Sequence, residues 1–208
     1  ILTLGEWVLE TACSDIGTLR RHGMPVDFAV AVNISAKQFS DLDFLTKIQT
    51  ITNQTGVDPG QLKLELTESS LIRDPESAIE LLGRLRTMGF KIELDDFGTG
   101  YSALNTLKLL PLDTLKLDRS LVNDIESNDS GQAIICAAIS MAKALSLSIV
   151  AEGVETAKQS EFLTAEGCNT LQGYLFAKPM PMQEFMSQFP PGPLKKEDSL
   201  KRVSPLSY

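Results

Sequence analysis

Lys91 to Tyr101 reads K-I-E-L-D-D-F-G-T-G-Y: an apolar strand pattern runs into two adjacent carboxylates, Asp95 and Asp96, and then a glycine loop. Side chains alternate faces along a strand, so two acids together at its end need water, a cation or a strained turn. The glycines behind them let the backbone turn sharply. Five more polar residues recur in comparable places. Asn33 follows F-A-V-A-V, Glu65 lies in Q-L-K-L-E-L, Lys116 in L-K-L-D, Glu152 after I-V-A, and Gln172 after T-L. A single acid near a strand end is ordinarily a solvated turn or a helix cap. The repetition of the placement in every strand is what points to a site, because in a β/α barrel reactive groups gather at the carboxyl ends of the strands.

The residue types narrow the chemistry. The chain has one histidine, His22, set beside Arg20, Arg21 and Gly23 at a helix end. That is the place of a C-terminal cap or a surface group, so a histidine-rich zinc or copper centre and a Ser-His-Asp triad are not expected. Glu65, Asp95, Asp96 and Glu152, with the amide of Asn33, are oxygen donors suited to a hard cation, Mg2+ or Mn2+. Adjacent aspartates could divide between two ions about 3.5–4 Å apart. Lys116 is then either a positive group beside an attacking water or a phosphate oxygen, or a structural ion-pair partner of a barrel carboxylate. Two tempting motifs fail. Asp96-Phe97-Gly98 spells D-F-G without the other kinase signatures. Gly98 to Ala103 fits G-x-G-x-x-A, but two carboxylates ahead of it would repel a pyrophosphate, and Pro111 cuts the following helix short.

Alternating elements must position these groups. Helical periodicity runs over Leu2–Arg21 with Leu4, Val8, Leu9, Ala12, Ile16 and Leu19 on one side, and a strand follows at Phe28–Ile34. A helix over Leu42–Thr55 stops at Gly56, a strand spans Gln61–Leu66, and Asp74-Pro75 opens a helix that ends near Met88. Strands at Phe90–Leu94, Thr114–Leu117, Ser148–Ala151 and Thr170–Gln172 alternate with helices at Leu104–Leu110, Gln132–Leu145, Ala157–Glu166 and Met182–Phe189. Repeated β-α units predict an α/β fold with a parallel sheet, a TIM-like barrel. Six strands fall short of a closed eight-stranded barrel, so one or two N-terminal strands are expected upstream of this sequence. Residues 1–189 read as one domain and 190–208, proline-rich and then charged, as a tail or linker.

The bulk numbers agree with a globular domain: 43% hydrophobic and 22% charged residues allow a real core. A net charge of −8 gives no electrostatic footprint for a nucleic-acid polymer. An acidic protein acting on a phosphate ester needs cations to offset repulsion. Cys13, Cys136 and Cys168 are odd in number and set among apolar residues, which predicts buried free thiols in a reducing compartment. No apolar run is long enough to span a bilayer, so this domain is expected to be cytoplasmic and without membrane contact, though it could belong to a membrane-anchored protein.

The chain resembles the EAL domain, the bacterial phosphodiesterase that linearises cyclic di-GMP. The resemblance rests on V-N-I-S (32–35), L-E-L-T-E-S (64–69), D-D-F-G-T-G-Y-S (95–102), L-P-L-D-T-L-K-L-D-R-S (110–120), V-A-E-G-V-E-T (150–156) and Q-G-Y-L-F-A-K-P (172–179), in family order. It implies Asn33, Glu65, Asp95, Asp96 and Glu152 as ligands of two Mg2+ or Mn2+ ions, with Asp95 shared. It implies Lys116 at the nucleophilic water, so that Lys116, Glu152 and Glu65 form the catalytic set. Asp118, Glu155 and Gln172 would support substrate or the ligand shell. Glu68 would brace the loop holding Gly98 and Gly100, a segment implied to contribute to a homodimer. The implied reaction is metal-dependent hydrolysis of cyclic di-GMP to linear pGpG, the alternative being an inactive cyclic di-GMP-binding module of the same fold. An upstream sensor or diguanylate-cyclase domain is the implied companion. The E-A-L tripeptide itself, whose glutamate is a further ligand, is expected on the upstream strand. Glu6 and Glu10 lie on the outer helix pattern and cannot replace it.

Overall fold

The computed structural model of the chain describes residues 2–72, 74–98, 104–126 and 129–190. Gly100 and residues 191–208 of the expected tail lie outside the described residues. Among the described residues the chain divides into two compact units, one built from residues 2–92 with 179–190, the other from residues 93–178.

The first unit opens on α1 (Leu2–Arg21), which buries Gly5, Leu9, Ala12, Cys13, Ile16 and Leu19. This stripe at helical spacing matches the sequence pattern except at its start. Leu4 is 60% exposed and Val8 only half-buried, because Gly5 instead faces the neighbouring Gln38 side chain. β1 (Val30–Asn33) leads into α2 (Ala36–Phe39), a one-turn helix closed by a reciprocal capping box between Ser35 and Gln38. The pattern S-A-K-Q carried that signal, yet four residues are too few to show periodicity. α3 (Phe44–Thr55) ends where Gly56 adopts a left-handed conformation at φ 67°. β2 (Leu62–Thr67) and α4 (Glu68–Ile72) follow, then α5 (Pro75–Thr87), entered through Asp74 and Pro75 as expected. β1 pairs parallel with β2. α10 (Met182–Gln188) docks by Phe185, whose ring centroid lies 6.2 Å from Phe28 and 5.0 Å from Phe189. Lys47 ties α1 to α3 through Glu6 at 2.7 Å and Asp41 at 2.9 Å.

The second unit holds most of β3 (Lys91–Phe97), then α6 (Leu104–Leu109), β4 (Thr114–Leu117), α7 (Arg119–Asn123), α8 (Asp129–Ala144), β5 (Ser148–Ala151), α9 (Ala157–Ala165) and β6 (Thr170–Leu171). Its strands pair parallel, each with the next in the chain. β4 is buried at all four positions, as a parallel strand covered on both faces must be. Ile135, Ile139 and Ala142 of α8 join Leu115, Ile149, Val150 and Leu163 in its core. Burying each such Leu or Ile side chain is worth about 1.5–3 kcal/mol relative to exposure.

Candidate active site

In the first unit the β1–β2 register sets Asn33 opposite Glu65, and Ile34 donates its amide to the Glu65 carbonyl at 2.8 Å. Glu65 is 1% exposed, while Asn33 sits exposed at the strand end. A carboxylate buried between Leu64 and Leu66 is costly to keep for packing alone. Glu68 opens α4 and is half-buried, with the turn around it closed by the Thr67 and Ser70 hydroxyls at 2.9 Å.

The second unit gathers the larger group. β3 pairs with β4 at Glu93–Thr114 and Leu94–Leu115, then resumes at Phe97–Leu117. Two residues, Asp95 and Asp96, therefore oppose the single Lys116: a β-bulge. Asp96 pays for it with φ 57°, and Gly98 follows at φ 106°. The strained turn is thus what accommodates the two adjacent acids. Asp95 keeps the buried face at 8% exposure while Asp96 turns to a half-buried place. β3 also runs on through Phe97, past the Leu94 end expected from its apolar pattern, because pairing to β4 continues across the bulge.

Strand periodicity then aligns one face. Lys116 registers with Val150 and Val150 with Thr170, so Lys116, Glu152 and Gln172 share the parity of Glu93 and Asp95 before the bulge. Backbone bonds continue each ladder one step past the strand. Asp118 donates to Phe97 at 3.2 Å, Glu152 to Leu117 at 3.0 Å and Gln172 to Ala151 at 2.8 Å. The functional side chains are thereby anchored to the rigid sheet rather than to free loop.

At the centre lies Lys116, 2% exposed, its Nζ 3.0 Å from Asp95 Oδ1 and 2.7 Å from Glu152 Oε1. Burial pushes the Glu152 carboxyl above its ordinary value, opposed by the Lys116 ammonium. Asp96 is pushed up by burial and then by the Asp95 and Asp118 carboxylates, again with Lys116 opposing. Asp118 caps α7, its Oδ1 accepting from the Ser120 amide at 2.8 Å and hydroxyl at 2.5 Å. Glu155 accepts from Arg119 Nη2 at 2.7 Å. Among the described residues no three acidic, cysteine or histidine side chains converge into a ready-made metal cage; the ammonium lies between two of the candidate oxygens instead. The donor set still fits a hard divalent cation: oxygen donors only, with carboxylates where burial already disfavours negative charge.

Three neighbours escaped the sequence reading. Glu93, 2% exposed, and Thr114, 6% exposed, stand on the Lys116 face two residues before Asp95 and Lys116. The period-2 spacing back from Asp95 was the available signal for Glu93. Arg119 carried no such signal. Cys13 and Cys168 are buried free thiols as expected, whereas Cys136 is only half-buried on α8.

The EAL domain family model matches residues 1–179. The chain belongs to the EAL domain family. It is 42% identical over 187 residues to the bifunctional diguanylate cyclase/cyclic di-GMP phosphodiesterase MucR of Pseudomonas aeruginosa, covering 90% of this chain and 27% of that protein. It is 40% identical to the cyclic di-GMP phosphodiesterase PdeR of Escherichia coli, covering 89% and 28%. The chain therefore spans about a quarter of the length of these curated relatives. Among solved structures, the P. aeruginosa MucR phosphodiesterase in complex with c-di-GMP superposes with a TM-score of 0.85 at 42% identity, over 89% of this chain and 74% of that one. The manganese and cyclic di-GMP complex of Klebsiella pneumoniae BlrP1 does so at 0.76 and 29% identity, over 85% and 44%. The α/β, TIM-like barrel class expected from the β-α repetition is the fold of this EAL chain. No described helix is long and apolar enough to cross a membrane.

Proposed function

We propose that this EAL chain is the catalytic domain of a metal-dependent cyclic di-GMP phosphodiesterase releasing linear pGpG. The observation that carries the reading is the buried ammonium of Lys116 held between Asp95 and Glu152 on the face of a parallel sheet. Asn33 and Glu65 in the first unit, and Asp95, Asp96 and Glu152 in the second, are the residues we assign as ligands of two Mg2+ or Mn2+ ions. When bound, such ions neutralise charge developing on the phosphodiester and acidify the attacking water. Lys116, fixed by two carboxylates, presents a positive charge that cannot wander, where it orients that water or meets a phosphate oxygen. Water adds to one phosphorus and gives up a proton, the P–O ester bond opposite it breaks, and the departing alkoxide oxygen takes up a proton to leave as the alcohol. Asp118, Glu155 and Gln172 support this array. Glu68 and Gly98 we assign to support of a homodimer contact. Residues 1–189 are assigned to the domain and 190–208 to a tail, in a cytoplasmic part of a signalling protein with an upstream sensor or cyclase domain.

The test incubates this chain, and a version extended to carry the E-A-L strand expected upstream, with cyclic di-GMP and Mn2+ or Mg2+, following pGpG by chromatography. Turnover in the extended form that is lost in Glu65→Gln supports the reading. Tight binding of cyclic di-GMP without turnover in both forms overturns it in favour of a binding module.

A further inference from the structure

Arg119 has no part in the assignments above, yet it crosses the turn that carries Glu152. Gly153, at φ 68°, is the residue directly after Glu152. A Cβ built on it would lie 2.7, 2.3 and 2.9 Å from Cβ, Cγ and Cδ of Arg119, so the arginine stem lies flat against the bare glycine backbone. Beyond the glycine, Arg119 Nη2 donates to Glu155 Oε1 at 2.7 Å. Arg119 itself is placed by Asp118, whose side chain caps the helix that Arg119 opens. A chain of contacts thus leads from β4, which carries Lys116, across the turn that follows β5, which carries Glu152.

The turn has reason to relax. Glu152 is half-buried, so swinging outward would expose its carboxylate to more water at the expense of its 2.7 Å contact with Lys116. The backbone is held at Glu152 by Leu117, at Val154 by Gln172, and at Glu155 and Thr156 by Gln159 Oε1. The Arg119 stem covers the glycine between these fixed points.

We infer that Arg119 is a positioning residue that pins the 152–156 turn and so aims the Glu152 carboxylate at Lys116. The inference rests on the role given to Glu152 in the proposed phosphodiesterase. The direct test compares Arg119→Ala and Arg119→Lys with the parent, each in the version extended to carry the E-A-L strand, by three readouts: amide hydrogen exchange, Mn2+ titration, and turnover of cyclic di-GMP. For R119A, exchange over 152–156 rises about ten-fold while the rest of the chain is unchanged. Mn2+ affinity and kcat each fall roughly ten-fold, the lower end of what loss of a supporting partner does at such sites, and KM stays within about two-fold. The thermal midpoint barely moves, because a pair with 57% and 40% exposed side chains adds little stability. R119K, which keeps charge and stem, recovers most of each loss. Parent-like exchange and Mn2+ affinity in R119A overturn the inference, as does exchange raised throughout the chain. The exchange readout needs no turnover, so an inactive extended parent with a loosened 152–156 turn in R119A refutes the phosphodiesterase reading and leaves the positioning role standing.

Discussion

Replacing Lys116 by methionine removes one buried charge and keeps most of the side chain's volume. Its Nζ sits 3.0 Å from Asp95 and 2.7 Å from Glu152. At an effective dielectric of about 20, each contact amounts to roughly 5–6 kcal/mol of gross attraction. Desolvation of three charged groups takes back most of that sum, and removing one partner of a buried pair costs about 3–5 kcal/mol net, since the carboxylates remain without it. For a chain of this size that is a fall in thermal midpoint of roughly 6–20 °C. The assay is a set of melts of K116M and parent in EDTA, then with Mn2+. In EDTA the variant melts far lower. Added Mn2+ raises it more than the parent, because a divalent ion can take the place of the lost ammonium between the same oxygens. The pH dependence has a definite sign. Burial already raises the Glu152 carboxyl, and Lys116 is the first influence opposing that rise. In K116M the folded-state value climbs further. A raised carboxyl destabilises the folded chain above its unfolded value, and the cost is relieved as pH falls through the folded value. The EDTA melt of K116M therefore climbs between neutral pH and the ordinary carboxylate range, more steeply than the parent. A variant that melts within 2 °C of the parent in EDTA at neutral pH, about 1 kcal/mol at most, refutes the claim that the ammonium holds these carboxylates in place.

Asp96→Asn keeps a residue tolerant of the left-handed conformation at φ 57° and removes a carboxylate pushed up by burial, Asp95 and Asp118. It should raise the metal-free midpoint, while Mn2+ titration shows at least a ten-fold weaker site. Gly98→Ala meets both a φ of 106° and Leu121 Cδ1 at 2.4 Å from the new Cβ. A loss of about 2–4 kcal/mol in urea unfolding is expected from strain and overpacking together. Iodoacetamide with mass spectrometry should label half-buried Cys136 slowly in the native chain and leave Cys13 and Cys168 untouched until denaturant is added. Burial pushes the Cys168 thiol up to about 11 and raises Cys13 too.

Much of this protein is written locally. Gly56 and Gly89 stop helices because each takes a left-handed backbone there, and Asp74-Pro75 starts one because the side chain caps it and the ring fits its first turn. The alternation in K-I-E-L-D and the apolar runs of T-L-K-L and S-I-V-A locate strands to within a few residues, and polar residues at their ends mark the active face. These signals need only a few neighbouring residues, so they survive in the sequence alone. What the tertiary structure decided depends on register between segments far apart in the chain. Whether Asp95 and Asp96 split across two faces or share a bulge was settled by where β4 resumes pairing, at Phe97–Leu117. That Lys116 takes Asp95 and Glu152 as partners, with Glu93 and Thr114 behind it on the same face, followed from the register of β3, β4 and β5. Arg119 entered the site because a glycine with no side chain leaves its backbone bare for an arginine 34 positions earlier to cover. Partner choice is a property of packing, and no stretch of sequence shorter than the packed unit contains it.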